Sequence, residues 1–187
     1  MTKAIRIYEI GGPDVLKWED VEVGPPGAGE VRLKHTVIGL NYIEIYQRTG
    51  LYKITDFPVT IGSEAGGVIE AVGDGVTDFK VGDRVAYAMN IGAYSEERTI
   101  GTEKLIAIPD GIDDQVAGGM LLQGMTAYYL LHKTYPVKAG DTILIYAAAG
   151  GVGLIVCQWA KHLGATVIGC GGSEEKAELV KARAEEH

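Results

Sequence analysis

The stretch that decides the fold is YAAAGGVGLIVCQWAKHLGATVIGCGGSEEK, which runs from Tyr146 to Lys176. It follows DTILIYA, a near-continuous apolar run that is typical of a strand buried on both faces. After a glycine-rich turn, the pattern predicts a helix over about 154–163, a second strand at ATVIGC and a last helix after Ser173. Strand, turn, helix, strand and helix in this order predict the start of a parallel, doubly wound α/β sheet.

The turn reads Ala148-x-Gly150-x-x-Gly153, one residue away from a fingerprint that has glycine at all three places. Gly150 lets the backbone approach a pyrophosphate, and Gly153 lets the helix pack closely on the strand. The N–H groups at the helix start, around Gly151 and Val152, have no partner within the helix and can receive phosphate charge. This turn therefore predicts the cofactor site of a Rossmann domain, although glycines needed only for tight packing would give the same pattern.

The residues after the second strand distinguish between NAD and NADP. Proteins that bind NAD usually carry an acidic residue about 20 residues beyond the turn, where it binds the ribose hydroxyls. Here the strand ends in CGGS (170–173) without a carboxylate, and Lys176 follows in the first turn of the next helix. Because a hydroxyl and an ammonium attract a 2′-phosphate, Ser173 and Lys176 predict NADPH. Glu174 and Glu175 leave a second interpretation open, in which this is only a solvated, charged helix start.

The first two-thirds of the chain is rich in predicted strands, at KAIRIYEI, EVRLKHTVIG, GGVIEAVG, DRVAYA and YSEERTI. Glycine-rich turns between them predict a compact, largely antiparallel barrel. One short helix interrupts this part, at NYIEIYQRTG (41–50). Residues 113–135 favour helix, and Gly118, Gly119 and Gly124 are expected to break it. We place the boundary between the barrel and the sheet domain near Gly124.

The composition excludes several classes of protein. The 187 residues carry a net charge of −8 with a pI near 5.0, whereas a nucleic-acid binder needs a basic face for phosphates. No apolar run reaches the length of a membrane span, and the N-terminus is too polar for a signal peptide. Cys157 and Cys170 lie in apolar surroundings without metal-ligand spacing, so we expect buried free thiols in a cytoplasmic protein.

Barrel, glycine turn and Rossmann half, in this order, resemble the medium-chain dehydrogenase/reductases and, among them, the zinc-independent, zeta-crystallin-like quinone oxidoreductases. The resemblance runs over the whole chain and depends on several segments taken together. They are GLNYIEIYQRTGLY (39–52), IGSEAGGVIEAVGDGVTDFKVGDRVAY (61–87), GAYSEERTI (92–100), LLQGMTAYYLL (121–131) and AAAGGVG (147–153). The resemblance implies a GroES-like β-barrel catalytic domain over 1–124, followed by the start of an NADPH-binding Rossmann domain over 125–187.

The zinc ligands of related alcohol dehydrogenases are missing from this chain. Those enzymes need thiolate and imidazole ligands. Their segment matching GSEAGG has a histidine where this chain has Ser63, and their segment matching GLNYIE has a cysteine where this chain has none. The four-cysteine structural zinc lobe is also absent. No metal site is predicted, and the histidines are expected to be satisfied or solvated; they are His35, His132, His162 and His187.

The resemblance implies that Asn41, Tyr46 and Tyr52 line the cleft beside the nicotinamide. The residue types fit this role, because an amide and two phenols can hydrogen-bond quinone oxygens and the phenol rings can stack on a flat acceptor. The alternative for Tyr46 is a helix residue that packs into the barrel. Tyr52, on a loop, also has a purely structural alternative.

The resemblance further implies that Ser63 and Thr126 lie near the nicotinamide and its phosphates. Ser63 has an alternative as a turn or cap residue, and Thr126 as a helix-interior residue. Glu64 is expected to form a structural salt bridge, because a buried carboxylate needs a partner. No residue is predicted to be an obligate general acid, since a quinone can take its proton from water.

Together these features predict an NADPH-dependent reductase that passes electrons to a quinone without a metal, acting as a cytoplasmic homodimer that binds neither nucleic acid nor membrane. The quinone is expected to bind between the barrel and the sheet domain. Two alternatives stay open. One is an enone or alkenal reductase on the same scaffold, and the other is a non-catalytic, crystallin-like protein that binds NADPH.

The predicted dinucleotide site is expected to be incomplete in this chain. A doubly wound site is built from two halves, and only the strands TILIYA and ATVIGC with one following helix can be counted after the turn. A two-stranded parallel sheet leaves its apolar faces poorly covered. We therefore expect a longer functional protein, with a short protein completed by a partner chain or by dimerisation as the alternative.

Overall fold

The computed structural model describes residues 1–184, so the prediction for His187 lies outside the described residues. The chain divides into two compact units, Met1–Leu121 and Leu122–His187. The predicted domain boundary near residue 124 stays a prediction. No helix within residues 1–184 has the length and apolar character needed to cross a bilayer.

The first unit consists of two antiparallel sheets, which confirms the predicted antiparallel strands. The strands are β1 (Thr2–Ile7), β2 (Lys17–Val21), β3 (Glu30–Ile38), β4 (Val59–Thr60), β5 (Glu64–Val72), β6 (Arg84–Ala88), β7 (Glu97–Gly101) and β8 (Ile106–Ala107). One sheet has the order β2-β1-β4 and the other the order β7-β3-β5-β6-β8. An isolated antiparallel bridge pairs Ala4 of β1 with Ser95, two residues before β7.

Alternating side chains build the core of this unit. Along β3, Val31 and Leu33 are fully buried, and they pack with Ile69 of β5 and with Val85 and Tyr87 of β6. Period-two patterning of this kind is what made these strands predictable. Short helical turns at Pro13–Val15 and Thr102–Lys104 connect strands, and α1 (Tyr42–Arg48) lies where the short helix was expected.

The predicted break of the long helix at its glycines is wrong. Helix α2 (Asp114–Tyr129) runs continuously through all three glycines and ends in a π-helical turn at Leu130–Thr134. The physical reason is close packing: a Cβ added at Gly118 would lie 2.6 Å from the backbone nitrogen of Gly66 in β5. Gly118 therefore lets the helix approach the sheet, and its missing side chain does not interrupt the helix.

Gly118 and Gly119 form a matched pair for testing this contact. Gly118→Ala should lower the free energy of unfolding by about 2 kcal/mol, because the new methyl group meets backbone that cannot move away easily. A Cβ added at Gly119 would meet no atom within 4 Å, so Gly119→Ala should raise stability by up to ~1 kcal/mol through helix propensity. Urea unfolding measures both changes, and equal effects of the two substitutions would contradict the packing explanation.

The second unit contains a parallel strand pair, as predicted. Strands β9 (Thr142–Ile145) and β10 (Thr166–Gly169) pair in register, and helices α3 (Gly151–His162) and α4 (Glu174–Ala184) follow them. Helix α3 begins three residues before the predicted start at 154. Val156 and Ala160 of α3 form a small core with Ala127, Leu131 and Ala165. Leu144 and Ile168 remain about half exposed, at 54% and 51%.

Candidate active site

The glycine turn connects β9 to α3 in a conformation suited to an anion. Ala147 has a positive φ of 52°, which non-glycine residues seldom adopt, and its carbonyl accepts the N–H of Gly150 at 2.8 Å. Gly150 is extended and precedes the helix without a side-chain cap, and the first turn of α3 carries no acidic residue. The N–H groups at the start of α3 are therefore suited to bind negative charge.

Gly153 and Ala148 hold this turn against the sheet. A Cβ on Gly153 would collide with the carbonyl oxygens of Ala147 and Ala148, so glycine is required for the helix to approach the strand. Ala148 is fully buried, and its N–H donates to the carbonyl of Cys170 at 3.0 Å, beyond the end of β10. These residues pack the turn against the sheet, and their binding of a pyrophosphate stays a prediction.

Ser173 and Lys176 come together at the start of α4. The Ser173 hydroxyl oxygen accepts the backbone N–H of Lys176 at 3.3 Å, so Ser173 caps the helix. This bond uses the oxygen as an acceptor and leaves the hydroxyl proton available to another group. The Lys176 side chain is exposed, and so are Glu174 and Glu175 in the same turn.

Thr126 lies inside α2, and its hydroxyl donates to the carbonyl of Leu122 one turn earlier, at 2.8 Å. This is the intrahelical bond that a threonine makes in a helix interior. The structural alternative raised from the sequence is thus observed for Thr126, and its role near a cofactor stays a prediction.

In the first unit, Tyr52 and Ser63 line one cavity of 370 Å³, which we call the Tyr52 pocket. Segments that are far apart in sequence form it: helix α1, the loop after Tyr52, and residues 89–91. Its apolar walls include Ile43, Ile54, Met89 and Ile91. Met89 has a positive φ of 59° and is 65% exposed.

Gln47 is a polar residue of this pocket that sequence reasoning missed. It follows Ile43 by four residues on α1, so the two side chains lie on one face of the helix. The Gln47 Oε1 and Ser63 Oγ atoms are buried, and neither has a hydrogen-bond partner of good geometry within residues 1–184. Buried polar atoms of this kind require an explanation, and a ligand in the pocket supplies one.

Asn41 and Tyr46 are not among the residues that line the Tyr52 pocket. Asn41 precedes α1 and is buried, and its Nδ2 donates to Glu64 Oε2 at 2.8 Å. This amide is one partner of the buried Glu64 carboxylate, and the salt bridge expected there stays a prediction. The predicted contact of Asn41 with a nicotinamide also stays a prediction.

Tyr46 packs between two other tyrosines. Its ring lies edge-on to that of Tyr52 with centroids 5.4 Å apart, and 6.1 Å from the ring of Tyr42. The Tyr46 carbonyl also accepts the N–H of Tyr52 at 2.9 Å. Through these contacts Tyr46 holds Tyr52 in position at the pocket.

Glu44 is the buried carboxyl group of α1, with 3% of its surface exposed. Burial raises its pKa, and the hydrogen bond from the Asn41 backbone N–H and the nearby Ser63 hydroxyl offset part of that increase. Burial, together with the charge of Glu44, raises the pKa of Tyr94 to about 12. Glu44 is a second residue that the sequence did not single out.

The described histidines do not form a metal site: within residues 1–184, no three His, Cys, Asp or Glu side chains come close enough to hold a metal ion. His35 lies against the Ser95 carbonyl and Tyr87, while His132 packs with the rings of Tyr128 and Trp159. The expectation that the chain needs no metal stays a prediction.

Known proteins resemble this chain over nearly all of its length. It is 51% identical to a quinone oxidoreductase of Pseudomonas aeruginosa and 50% identical to a 2-haloacrylate reductase of Burkholderia, in each case over 97% of the chain. The crystal structure of Escherichia coli quinone oxidoreductase complexed with NADPH superposes with a TM-score of 0.94 at 42% identity, over 97% of the chain. The chain spans about half the length of these relatives, 56% in each case.

Residues 27–141 match the model of the alcohol dehydrogenase GroES-like domain. The match covers most of the first unit, including the Tyr52 pocket, and continues through α2. Sequence motifs, antiparallel sheets and relatives therefore agree, and the chain belongs to the family of the alcohol dehydrogenase GroES-like domain.

Proposed function

We propose that this chain belongs to an NADPH-dependent reductase that transfers electrons to a quinone without a metal. The observation that carries the proposal is the Tyr52 pocket, in which Gln47 Oε1 and Ser63 Oγ are buried beside an aromatic ring and have no hydrogen-bond partner among the described residues. A quinone is flat and its carbonyl oxygens accept hydrogen bonds, so it suits an aromatic ring, the Ser63 O–H and the Gln47 Nε2 amide, while an O–H of the reduced quinol can donate to Gln47 Oε1. The similarity to quinone oxidoreductases supports the same conclusion.

The residues of the second unit fit NADPH. The uncapped start of α3, the close approach at Gly153 and the absence of acid in the first turn suit a pyrophosphate on the segment 148–153. The Ser173 hydroxyl proton and the Lys176 ammonium suit the 2′-phosphate. When bound, the reduced nicotinamide would supply the electrons, and the protein supplies orientation and exclusion of water.

The experiment that tests this function measures NADPH oxidation by the purified chain with a panel of quinones, in the presence and absence of a chelator. Turnover with quinones that survives chelation supports the proposal. Binding of NADPH without oxidation, in a protein that carries both halves of the dinucleotide site, would favour the non-catalytic alternative. Stoichiometric zinc whose removal stops turnover would contradict the proposal of a metal-independent reductase.

Lys176→Ala should weaken NADPH binding by about 2 kcal/mol, because an ammonium contributes a charge-assisted hydrogen bond to the 2′-phosphate. NADH lacks this phosphate, so its affinity should stay nearly unchanged. Calorimetry with both cofactors measures the difference, and Lys133→Ala, at another exposed lysine of this unit, is the control. Equal losses for both cofactors would contradict the assignment of Lys176.

Gln47→Met should weaken quinone binding by about 1 kcal/mol, because it removes the amide while nearly keeping the volume of the side chain. Tyr52→Phe should also change quinone binding, and neither change should affect NADPH affinity. Fluorescence quenching by menadione measures binding, and Gln115→Met, at an exposed glutamine, is the control. Unchanged quinone affinity in both pocket variants would place the acceptor elsewhere.

An enone or alkenal reductase is the second candidate. The 2-haloacrylate reductase of Burkholderia is 50% identical to this chain, and Lys53 lines the Tyr52 pocket, where its ammonium suits a substrate carboxylate. The same assay with 2-chloroacrylate and with enones distinguishes this candidate from a quinone reductase. A homodimer located in the cytoplasm completes our proposal, and light scattering of the purified chain measures its oligomeric state.

A further inference from the structure

Glu44 has one oxygen in use and one available. Its Oε2 accepts the backbone N–H of Asn41 at 2.6 Å, which anchors the start of α1. Its Oε1 is buried and has no hydrogen-bond partner within residues 1–184. Because Oε2 already accepts an N–H, a proton on this carboxyl group belongs on Oε1.

Ser63 lies between this carboxyl group and the Tyr52 pocket. Its side chain is 2% exposed and lines the pocket, and its hydroxyl is close enough to Glu44 to lower the pKa of that carboxyl group. Ser63 Oγ and Glu44 Oε1 do not form a hydrogen bond of good geometry with each other. A hydroxyl both donates and accepts, so Ser63 can receive a proton from one side while giving its own to the other.

A second cavity, of 420 Å³, gives Glu44 a connection to solvent. Glu44 and Tyr94 line it together with Leu40 and Tyr42, which are 81% and 73% exposed. A carboxylate that has lost its proton to the Tyr52 pocket can regain one from water through this cavity.

None of the charged and titratable side chains described around Glu44 forms an ion pair with it. Tyr94, from the segment after β6, stays a phenol, and Glu64 of β5 contacts Asn41, which precedes the helix. Arg48, one turn along α1, lines the second cavity and donates to the Gly11 carbonyl at 2.6 Å. Within the described residues Glu44 forms no ion pair, so no cation holds it as a carboxylate.

We propose that Glu44 stores a proton and delivers it through the Ser63 hydroxyl to an oxygen of the acceptor in the Tyr52 pocket. The Glu44 O–H and Ser63 O–H bonds break as a new Ser63 O–H bond and an acceptor O–H bond form, and a carboxylate remains. No electrons move in this step. It follows the two-electron reduction that leaves a negative charge on the acceptor oxygen, for which a dihydronicotinamide is the reductant; in this respect the inference rests on the proposed function. Ser63 is the catalytic residue, because its hydroxyl would contact the acceptor. Glu44 acts through Ser63 and supplies the proton.

A coloured phenolate tests the step without turnover. 4-Nitrophenolate is flat, carries its charge on a ring oxygen like a reduced quinone, and loses its visible absorbance when it is protonated. At the pH where the free probe is half ionised, probe bound to the wild-type chain should become mainly the phenol. In Glu44→Gln, the bound phenol-to-phenolate ratio should fall roughly tenfold, equal to about one pKa unit. Glu44→Asp should restore part of the ratio, and Glu9→Gln, at an exposed carboxylate, should leave it unchanged.

The Ser63→Ala variant provides a second measurement that needs no probe. Because the Ser63 hydroxyl lowers the pKa of Glu44, its removal should raise that pKa, as measured by carboxyl ¹³C NMR of the folded chain. A bound probe that stays phenolate in the wild type, an unchanged ratio in Glu44→Gln, or an unchanged pKa in Ser63→Ala would each overturn the relay. If the wild type binds no probe, the acceptor assignment of the pocket falls together with the relay. If the probe binds but receives no proton, the proton transfer from Glu44 through Ser63 is overturned alone. The proposed function is then still tested separately by the quinone assay.

Discussion

Replacing Gly153 by Val should lower the free energy of unfolding of the second unit by about 3 kcal/mol and abolish NADPH binding. The new side chain would meet the carbonyl oxygens of Ala147 and Ala148, which belong to the backbone and cannot rotate away. Helix α3 would have to move off the strand pair, and its N–H groups would leave the position proposed for the pyrophosphate.

The chain allows a clean measurement, since it contains two tryptophans, one in each unit. In a Trp18→Phe background, Trp159 of α3 reports on the second unit alone during urea unfolding. Gly172→Ala is the control, because a Cβ there meets no atom within 4 Å. Wild-type stability and NADPH affinity in Gly153→Val would contradict the close-packing explanation.

The second large effect concerns His35, whose neutral form is built into a chain of hydrogen bonds. His35 Nδ1 lies 2.6 Å from the Ser95 carbonyl and must be the N–H, so Nε2 accepts the Tyr87 hydroxyl at 3.1 Å. Arg98 Nη1 donates to the Tyr87 oxygen at 3.3 Å, and its guanidinium lies over the ring. Burial, together with the charge of Arg98, lowers the pKa of His35 to about 4.

We therefore expect acid to destabilise the first unit through His35. The folded-state pKa lies below the ordinary value of 6.5, so as the pH falls the unfolded chain binds a proton before the folded chain does. Stability is complete above about pH 6.5 and is lost progressively towards pH 4. The shift corresponds to about 3 kcal/mol for this partly buried group.

His35→Gln should remove this part of the pH dependence, even if it lowers stability at neutral pH. The quantity to compare is the loss of unfolding free energy between pH 7.5 and pH 4.5, followed by Trp18 fluorescence in a Trp159→Phe background. The wild type should lose about 2.5 kcal/mol more than His35→Gln. His162→Gln, at an exposed histidine, should behave like the wild type. Equal losses in wild type and His35→Gln would show that His35 is not the acid-sensitive group.

The elements that the sequence predicted well are those whose determinants are local. The apolar run of β9, the glycines after it and the polar start of α4 follow one another within a short segment, and the parallel pair formed as expected. Strand β2 was missed because its sequence, KWEDV, does not alternate charged and apolar residues, and none of its residues is fully buried. It forms by pairing along β1, which is a property of the sheet and not of the segment.

The candidate site was only partly predictable for the same reason. Tyr52 and Ser63 line one pocket, the Asn41 amide donates to Glu64 and Thr126 bonds within its own helix, while the predicted contacts of all four with a cofactor or acceptor stay predictions. Gln47 lines the pocket because α1 faces two loops that are distant in sequence. The residues next to Gln47 in the sequence do not indicate this contact between α1 and the loops. Glu44 resembles an ordinary capping residue until its burial next to Ser63 is seen.

The contact between Gly118 and Gly66 limits how this sequence can change during evolution. A Cβ at either position lies 3.2 Å or less from backbone atoms of the other residue, so no smaller neighbouring side chain can make room for it. Most crowded core positions can change by paired substitutions, in which one residue grows and its neighbour shrinks. Neither glycine has this route, because its partner is already the smallest residue. Divergent descendants of this chain should keep both glycines or move the whole of α2 away from β5.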